Sequence, residues 1–351
     1  MDVSLILGEA SPLTWERWRH VVQLTERLGF KKLFRSDHYF NGQQKPAIDV
    51  YLSFVMAAME TTTLEFGPLV TPVTFRHPTN VGRQAQLLDA LSDGRFILGM
   101  GAGWYEDEHR IYGVDFPSLT ERYDRLDDAL AMMQVLWYDN PGHYDGRFYR
   151  LDGTDSQPHP PAGRPRILIG GNGPKRTLRT AARFAHEWNS IVLPPDAYRS
   201  SVEVLERHCA DIDRDPAEIH TSMLLFAITG PDRATEDKVA QRFIDMMGHG
   251  EVVTVEDIRQ NRTALTRLRR QPGGADRPAR AAGRGRSAGG RVRALRDRGR
   301  RRARVAGGGD RAGGGRLLSA APGGQPVQRV RPRNCRVTPS RSRPITSAGA
   351  T

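Results

Sequence analysis

Through about residue 245 the chain alternates short apolar runs with longer segments whose apolar residues cluster on one helical face. A short apolar run bounded by turn formers fits a strand buried on both sides, as in a parallel sheet, and the longer pattern fits a helix packed on that sheet. Strands are predicted at 3–7, 32–36, 64–70, 96–101, 167–170, 188–192 and 223–229. Helices are predicted at 14–28, 49–60, 79–91, 119–137, 174–184, 196–211 and 233–245. In the first helix Trp15, Trp18, Val22 and Leu28 fall near one face, the stripe a surface helix needs. Seven strand–helix pairs exceed what a small dinucleotide fold uses and stop one short of the eight that close a barrel. The expected fold is therefore α/β, a (β/α)8 TIM barrel incomplete at its eighth strand–helix unit. Residues 139–165 carry turn chemistry throughout and read as an excursion, with a small hairpin around Asp145-Gly146.

The pattern ends near residue 270, and composition changes there too. From Gln271 onward the chain has 20 Arg, 16 Gly and 13 Ala, no Lys and no aromatic residue, and only 3 acids. That stretch holds +17 of charge and the rest about −5, so the overall +12 does not describe the body of the protein. Two domains follow: a barrel at 1–268 and an Arg/Gly/Ala-rich tail at 269–351. The tail is expected to be disordered because it cannot bury enough apolar area to offset chain entropy. A nucleic-acid arm is one reading, disfavoured by the lack of stacking aromatics. The other is an out-of-frame product, since Arg, Gly, Ala and Pro codons dominate a shifted GC-rich gene. Cys209 and Cys335 fall in the two unlike regions, so no disulfide framework is expected. With no basic n-region and no apolar run near 18 residues, a cytoplasmic location without a membrane span is expected.

Four stretches carry candidate chemistry. The second strand ends in Ser36-Asp37-His38, at the strand end where a parallel barrel has its mouth. An imidazole there can shuttle protons and the neighbouring acid can fix its tautomer, although a capped turn explains the same pair. The stretch GPLVTPVTFRHP, 67–78, crowds prolines at a strand exit, which suits either a bulge reaching a ligand or a stiffened loop. In SDGRFILGMGAGWYEDEH, 92–109, glycines at the strand exit leave room for a planar ligand, but GMGAGW lacks the spacing of a dinucleotide fingerprint. Its acids read as an exposed helix start, and no metal is expected. In RILIGGNGPKR, 166–176, Gly170-Gly171-Asn172-Gly173 and then Pro174, Lys175 and Arg176 place amide donors, a helix start and two cations together, which favours a phosphate site.

Together with YGVDFPSLTERYDRLDDAL, 112–130, and ILIGGNGPKRTLRTAARFAHEWN, 167–189, these stretches closely resemble the luciferase-like monooxygenase superfamily, nearest its F420-dependent oxidoreductases. The resemblance covers residues 1 to about 260 and implies a barrel whose mouth binds F420, with FMN as the alternative. It implies His38 as the catalytic acid/base and Asp37 as a cofactor-contacting neighbour. It places Pro68 and Leu69 at a bulge with a non-prolyl cis peptide behind the ring, Ala102, Gly103 and Asp107 near the ring or side chain, and Gly170, Gly171, Asn172 and Gly173 in the phosphate loop. The implied activity is hydride transfer between the deazaflavin and a small organic substrate. The alternatives are an FMN-dependent monooxygenase and a non-catalytic flavin or deazaflavin-binding protein. Many relatives are dimers, so a homodimer is an expectation of the resemblance. The chain departs from the family after about 265, where RRQPGGADRPARAAG carries neither strand nor helix pattern.

Overall fold

The computed structural model describes residues 2–8, 13–40, 48–161, 165–247 and 254–256. The Arg/Gly/Ala-rich tail, with its expected disorder, lies outside the described residues. The elements run β1 (Leu5–Leu7), α1 (Trp15–Arg27), β2 (Lys32–Arg35), α2 (Val50–Glu60), β3 (Glu65–Pro68), β4 (Thr71–Pro72), α3 (Pro78–Leu91), β5 (Ile97–Gly101), α4 (Glu106–Tyr112), α5 (Leu119–Tyr138), β6 (Gly142–Asp145) and β7 (Arg150–Thr154). They continue with β8 (Arg166–Gly170), α6 (Thr177–Phe184), β9 (Glu187–Ile191), α7 (Pro195–Ala210), β10 (His220–Leu224) and α8 (Arg233–Met247). Side chains of Thr14, Asp49 and Ser118 accept N–H bonds at the starts of α1, α2 and α5, which is why these helices begin where they do.

Two parallel sheets, β1-β2-β3 and β4-β5-β8-β9-β10, meet at a bridge between Phe66 and Phe96. Residues of one parity face the helices. Leu33, Leu98, Met100, Ile167, Ile169 and Trp188 join Trp18, Phe54 and Trp137 in the main core. The other parity faces inward, where Phe34, Ile97 and Leu168 pack with Ile6, Leu69 and Val70. This alternation across a sheet covered on both sides explains why the strands read as unbroken apolar runs. Toward the N-terminal ends of the strands the interior is polar. Lys32 Nζ lies 2.6 Å from Glu187 Oε2, Ser222 donates to Glu187 Oε1, and Asn189 donates to Ser222. The Lys32–Glu187 pair links β2 to β9.

The structure corrects three boundaries. The strand predicted at 64–70 is the shorter β3, Glu65–Pro68, followed by a separate β4 at Thr71–Pro72; Pro68 and Pro72 have no N–H to give a ladder. The last strand is His220–Leu224 and not 223–229; its polar start was missed because Ser222 faces the interior network, while Phe226 and Ile228 pack instead beside Phe243 of α8. The helix predicted from 174 begins at Thr177, after a turn over 174–176. The hairpin at 145–146 is present as the antiparallel pair β6–β7. No helix among the described residues is long and apolar enough to cross a membrane.

Candidate active site

His38 lies just beyond β2 and continues its inward parity. Its Nδ1 lies 2.7 Å from Oε2 of Glu108, which is fully buried in the first turn of α4. Oε1 of the same carboxyl accepts the backbone N–H groups of Tyr39 and Phe40. One carboxylate thus fixes both the chain leaving β2 and the imidazole on it. With Glu108 accepting from Nδ1–H, Nε2 is left as the atom able to exchange a proton. From the sequence, Asp37 is one candidate for this orienting task, and the acidic run at 106–109 reads as an exposed helix start. Both are corrected: Glu106 and Asp107 are exposed, but Glu108 is the residue that holds His38. Helical geometry supplies the reason, since on a single short helix only one of three consecutive residues can face the strand.

Asp37 has the opposite parity and points away from His38. Arg76 donates to both its oxygens, at 2.6 and 3.2 Å, and the Thr71 hydroxyl donates at 2.8 Å. Burial pushes the Asp37 carboxyl up from the usual carboxylate range, against the pull of Arg76 and Thr71. Burial also works against the Arg76 charge, but Asp37 more than offsets it and raises the guanidinium above its ordinary value. Asp37 is therefore a buried clamp between the β2 exit, β4 and the segment leading to α3. His109, next to Glu108, accepts from the Thr74 hydroxyl at Nε2 and donates from Nδ1 to the Tyr105 carbonyl. Burial holds its pKa below the ordinary histidine value, consistent with this neutral tautomer.

The remaining predicted positions divide. Pro68 ends β3, and the non-prolyl cis bond is Leu69–Val70, one residue after the expected place. Leu69 and Val70 pack with Phe34, Ile97 and Leu168 on the inward face of the strands. A Cβ on Gly170 would stand 2.8 Å from a Val70 methyl, and one on Gly99 would stand 2.0 Å from the Pro68 carbonyl. These strand glycines thus make room for the 68–70 segment. Ala102 is buried and Gly103, at φ +80°, turns the chain from β5 toward α4. Asp107 lies on the surface and pairs with Arg110 at 3.0 Å.

In the loop after β8, Gly171 donates to the Asn189 carbonyl and accepts from the Trp188 indole. The Asn172 amide bonds both backbone groups of Ile191. Those two residues are therefore bound to β9. Gly173 faces two hydroxyls: an added Cβ would stand 2.8 Å from Thr177 Oγ1 and 3.4 Å from the Tyr123 hydroxyl. Of the two expected cations Lys175 is exposed, while Arg176 is bound to Asp124 at 2.5 Å. Arg176, Arg179 and Arg183 all approach Asp127, and this arginine–aspartate cluster fastens α6 to α5.

Residues 5–311 match the family model described as luciferase-like monooxygenase. The chain belongs to this family. The match runs past residue 268 into the arginine-rich stretch. Among luciferase-like relatives, the F420-dependent hydroxymycolic acid dehydrogenase of Mycobacterium tuberculosis (strain ATCC 25618 / H37Rv) is 28% identical over 218 residues, 60% of this chain and 59% of that protein. The phthiodiolone/phenolphthiodiolone dimycocerosates ketoreductase of Mycobacterium kansasii is 34% identical over 175 residues, 48% of this chain and 46% of that one. The matched region thus spans about half to three fifths of the length of these relatives. An F420-dependent secondary alcohol dehydrogenase, solved with an F420-acetone adduct, superposes with a TM-score of 0.62 at 17% identity over 76% of this chain and 84% of that chain. At that identity the likeness establishes the shared α/β fold of parallel strands.

Proposed function

We propose that this luciferase-like protein is an F420-dependent oxidoreductase that interconverts a secondary alcohol and a ketone. The observation that carries the reading is the His38–Glu108 pair at the C-terminal end of β2: an imidazole with one nitrogen held by a buried carboxylate and the other left to exchange a proton. Support for the reaction comes from the relatives, one named as a dehydrogenase of a hydroxy compound and one as a ketoreductase. The finer fold reading is a (β/α)8 barrel lacking a regular eighth unit, supported by the seven strand positions and the Lys32–Glu187 pair across the interior.

The residues present fit a planar cofactor with a phosphate-bearing side chain. Bare backbone at Gly173 borders the start of α6 and the Tyr123 and Thr177 hydroxyls, which bond each other, with Lys175 exposed two residues on, a setting that suits a phosphate. Leu69 and Val70 present an apolar floor beneath the mouth, and Ala102 and Gly103 add no bulk at the β5 exit. Asp37 acts by fixing the β2 exit, and the surface position of Asp107 gives it no evident contact there. When bound, F420 supplies the hydride acceptor or donor. His38 Nε2 takes the hydroxyl proton on oxidation or returns it on reduction, Glu108 holds the imidazole in the productive tautomer, and the closed floor excludes water.

A side-by-side titration with F420 and FMN, followed by cofactor absorbance and fluorescence, tests the cofactor; preference for FMN would move the protein to the monooxygenase reading. His38→Ala tests catalysis. Turnover is expected to fall by about 10² to 10⁴-fold with F420 affinity largely kept. Unchanged turnover would leave a protein that only binds the cofactor. A homodimer is also proposed, through the outer face of α2 and α3, where Leu52, Met59, Leu87 and Leu91 are exposed.

A further inference from the structure

Trp104 is the most exposed of the five tryptophans, ahead of Trp15 at 43%. Trp18, Trp137 and Trp188 are completely buried, whereas Trp104, on the loop between β5 and α4, is 65% exposed. Leaving a large ring in water is costly, and a monomer surface usually spares itself that cost unless something covers the ring. The ring is also held in place. It stacks on Tyr105 with centroids 5.1 Å apart and planes at 25°, and Tyr105 in turn meets the edge of Phe40 at 5.8 Å. Both rings touch the His38 imidazole edge-on, Trp104 at 5.8 Å and 83°, Tyr105 at 6.2 Å and 75°. An exposed apolar platform therefore borders the proton-exchanging side chain. A molecule whose reacting oxygen reaches His38 must lay its remaining atoms near this ring.

The charges nearby define what kind of molecule that is. The fixed charges around the β2 exit are the carboxylates of Glu108 and Asp37, and the cation beside them, Arg76, is bound across Asp37 and Asp49. An anionic arm would meet carboxylates and a guanidinium already engaged; an uncharged apolar arm would cover Trp104.

We infer that Trp104, backed by Tyr105, is the specificity-determining wall of the substrate site, and that it takes the apolar alkyl or aryl arm of a neutral secondary alcohol or ketone. The inference rests on the oxidoreductase reading for the identity of the reacting group, but not for the apolar contact itself. The test measures binding of isopropanol, sec-butanol, 2-hexanol, 2-octanol and 1-phenylethanol to the full-length protein by calorimetry, with and without F420, and of 2-hydroxyoctanoate as the charged counterpart. Affinity is expected to rise about twofold to fourfold per added methylene until the ring is covered, the range set by partial to full burial of each group. The hydroxy acid is expected to bind at least about tenfold more weakly than 2-octanol.

Trp104→Ala should flatten that dependence on length, and Trp104→Phe should restore most of it. Leu28→Ala, which removes an equally exposed side chain at the end of α1, should leave the dependence in place. The same dependence in wild type and Trp104→Ala overturns the inference, as does an equal loss in the Leu28 variant, which would mark adsorption on apolar surface in general. Failure of F420 to bind would count against the cofactor reading alone, because the series without cofactor still decides the role of Trp104.

Discussion

Glu108 directly follows Glu106 and Asp107 in the sequence, and nothing local separates the three. Folding does: α4 turns Glu106 and Asp107 to solvent and drives Glu108 into the space behind His38, where its two oxygens serve an imidazole and two backbone N–H groups. Glu108→Gln is expected to keep the fold, since an amide oxygen still accepts from Tyr39 and Phe40. The amide nitrogen would then face Nδ1 as a donor and leave the proton on Nε2, the wrong tautomer for taking one from an alcohol. Turnover in the oxidation direction should fall by about 10² or more. Full activity with Gln at 108 would show that the tautomer is set elsewhere. His38 at the end of an apolar strand is visible in the sequence, but a capped turn explains the pair equally well, and its proposed role comes from the family resemblance. Its partner is not visible there, because 70 residues separate the two and only the packing of α4 over β2 joins them.

At the scale of elements, six of the seven predicted strands and all seven predicted helices occur close to the expected positions. Apolar runs and caps are local properties, and they survive into the fold. The failures are where an element faces a polar interior, as at His220–Leu224, or where proline interrupts pairing, as at Pro68 and Pro72. α2 is the informative helix. In its 11 residues only Glu60 carries a charge, and it buries Val50, Tyr51, Phe54 and Ala57 on one side. Its other side leaves Leu52 62% and Met59 74% exposed, and α3, which packs on α2, leaves Leu87 and Leu91 exposed too. A helix apolar all round is normally covered on all sides. A self-complementary face of this kind suits a twofold dimer, so sedimentation should show a dimer at micromolar concentration and Met59→Lys should shift it toward monomer. A wild-type protein that stays monomeric under those conditions excludes this interface.

For the whole molecule, one buried and one half-buried histidine couple stability to pH. His109 is bonded at both ring nitrogens and His186 accepts the Ile167 N–H at Nδ1; burial holds both pKa values below the ordinary histidine value of 6.5. The unfolded chain therefore binds protons that the folded chain does not, and stability is lost as pH falls below about 6.5. Urea midpoints are expected to drop between about pH 7.5 and 5.5. His186→Asn, which keeps an acceptor for Ile167, should make the drop shallower; an unaltered pH dependence would remove His186 from the account. The sequence by itself determined the parallel α/β plan, the hairpin, the change of composition near 270 and the place of His38 at a strand end, because hydrophobic period, turn chemistry and composition are written locally along the chain. Only the tertiary structure decided that Glu108 and not Asp37 holds the imidazole, that Arg176 is spent on Asp124, and that Trp104 stands exposed beside His38. Each of those outcomes depends on which face of an element turns toward a residue distant in sequence, and that is fixed by packing across the whole fold.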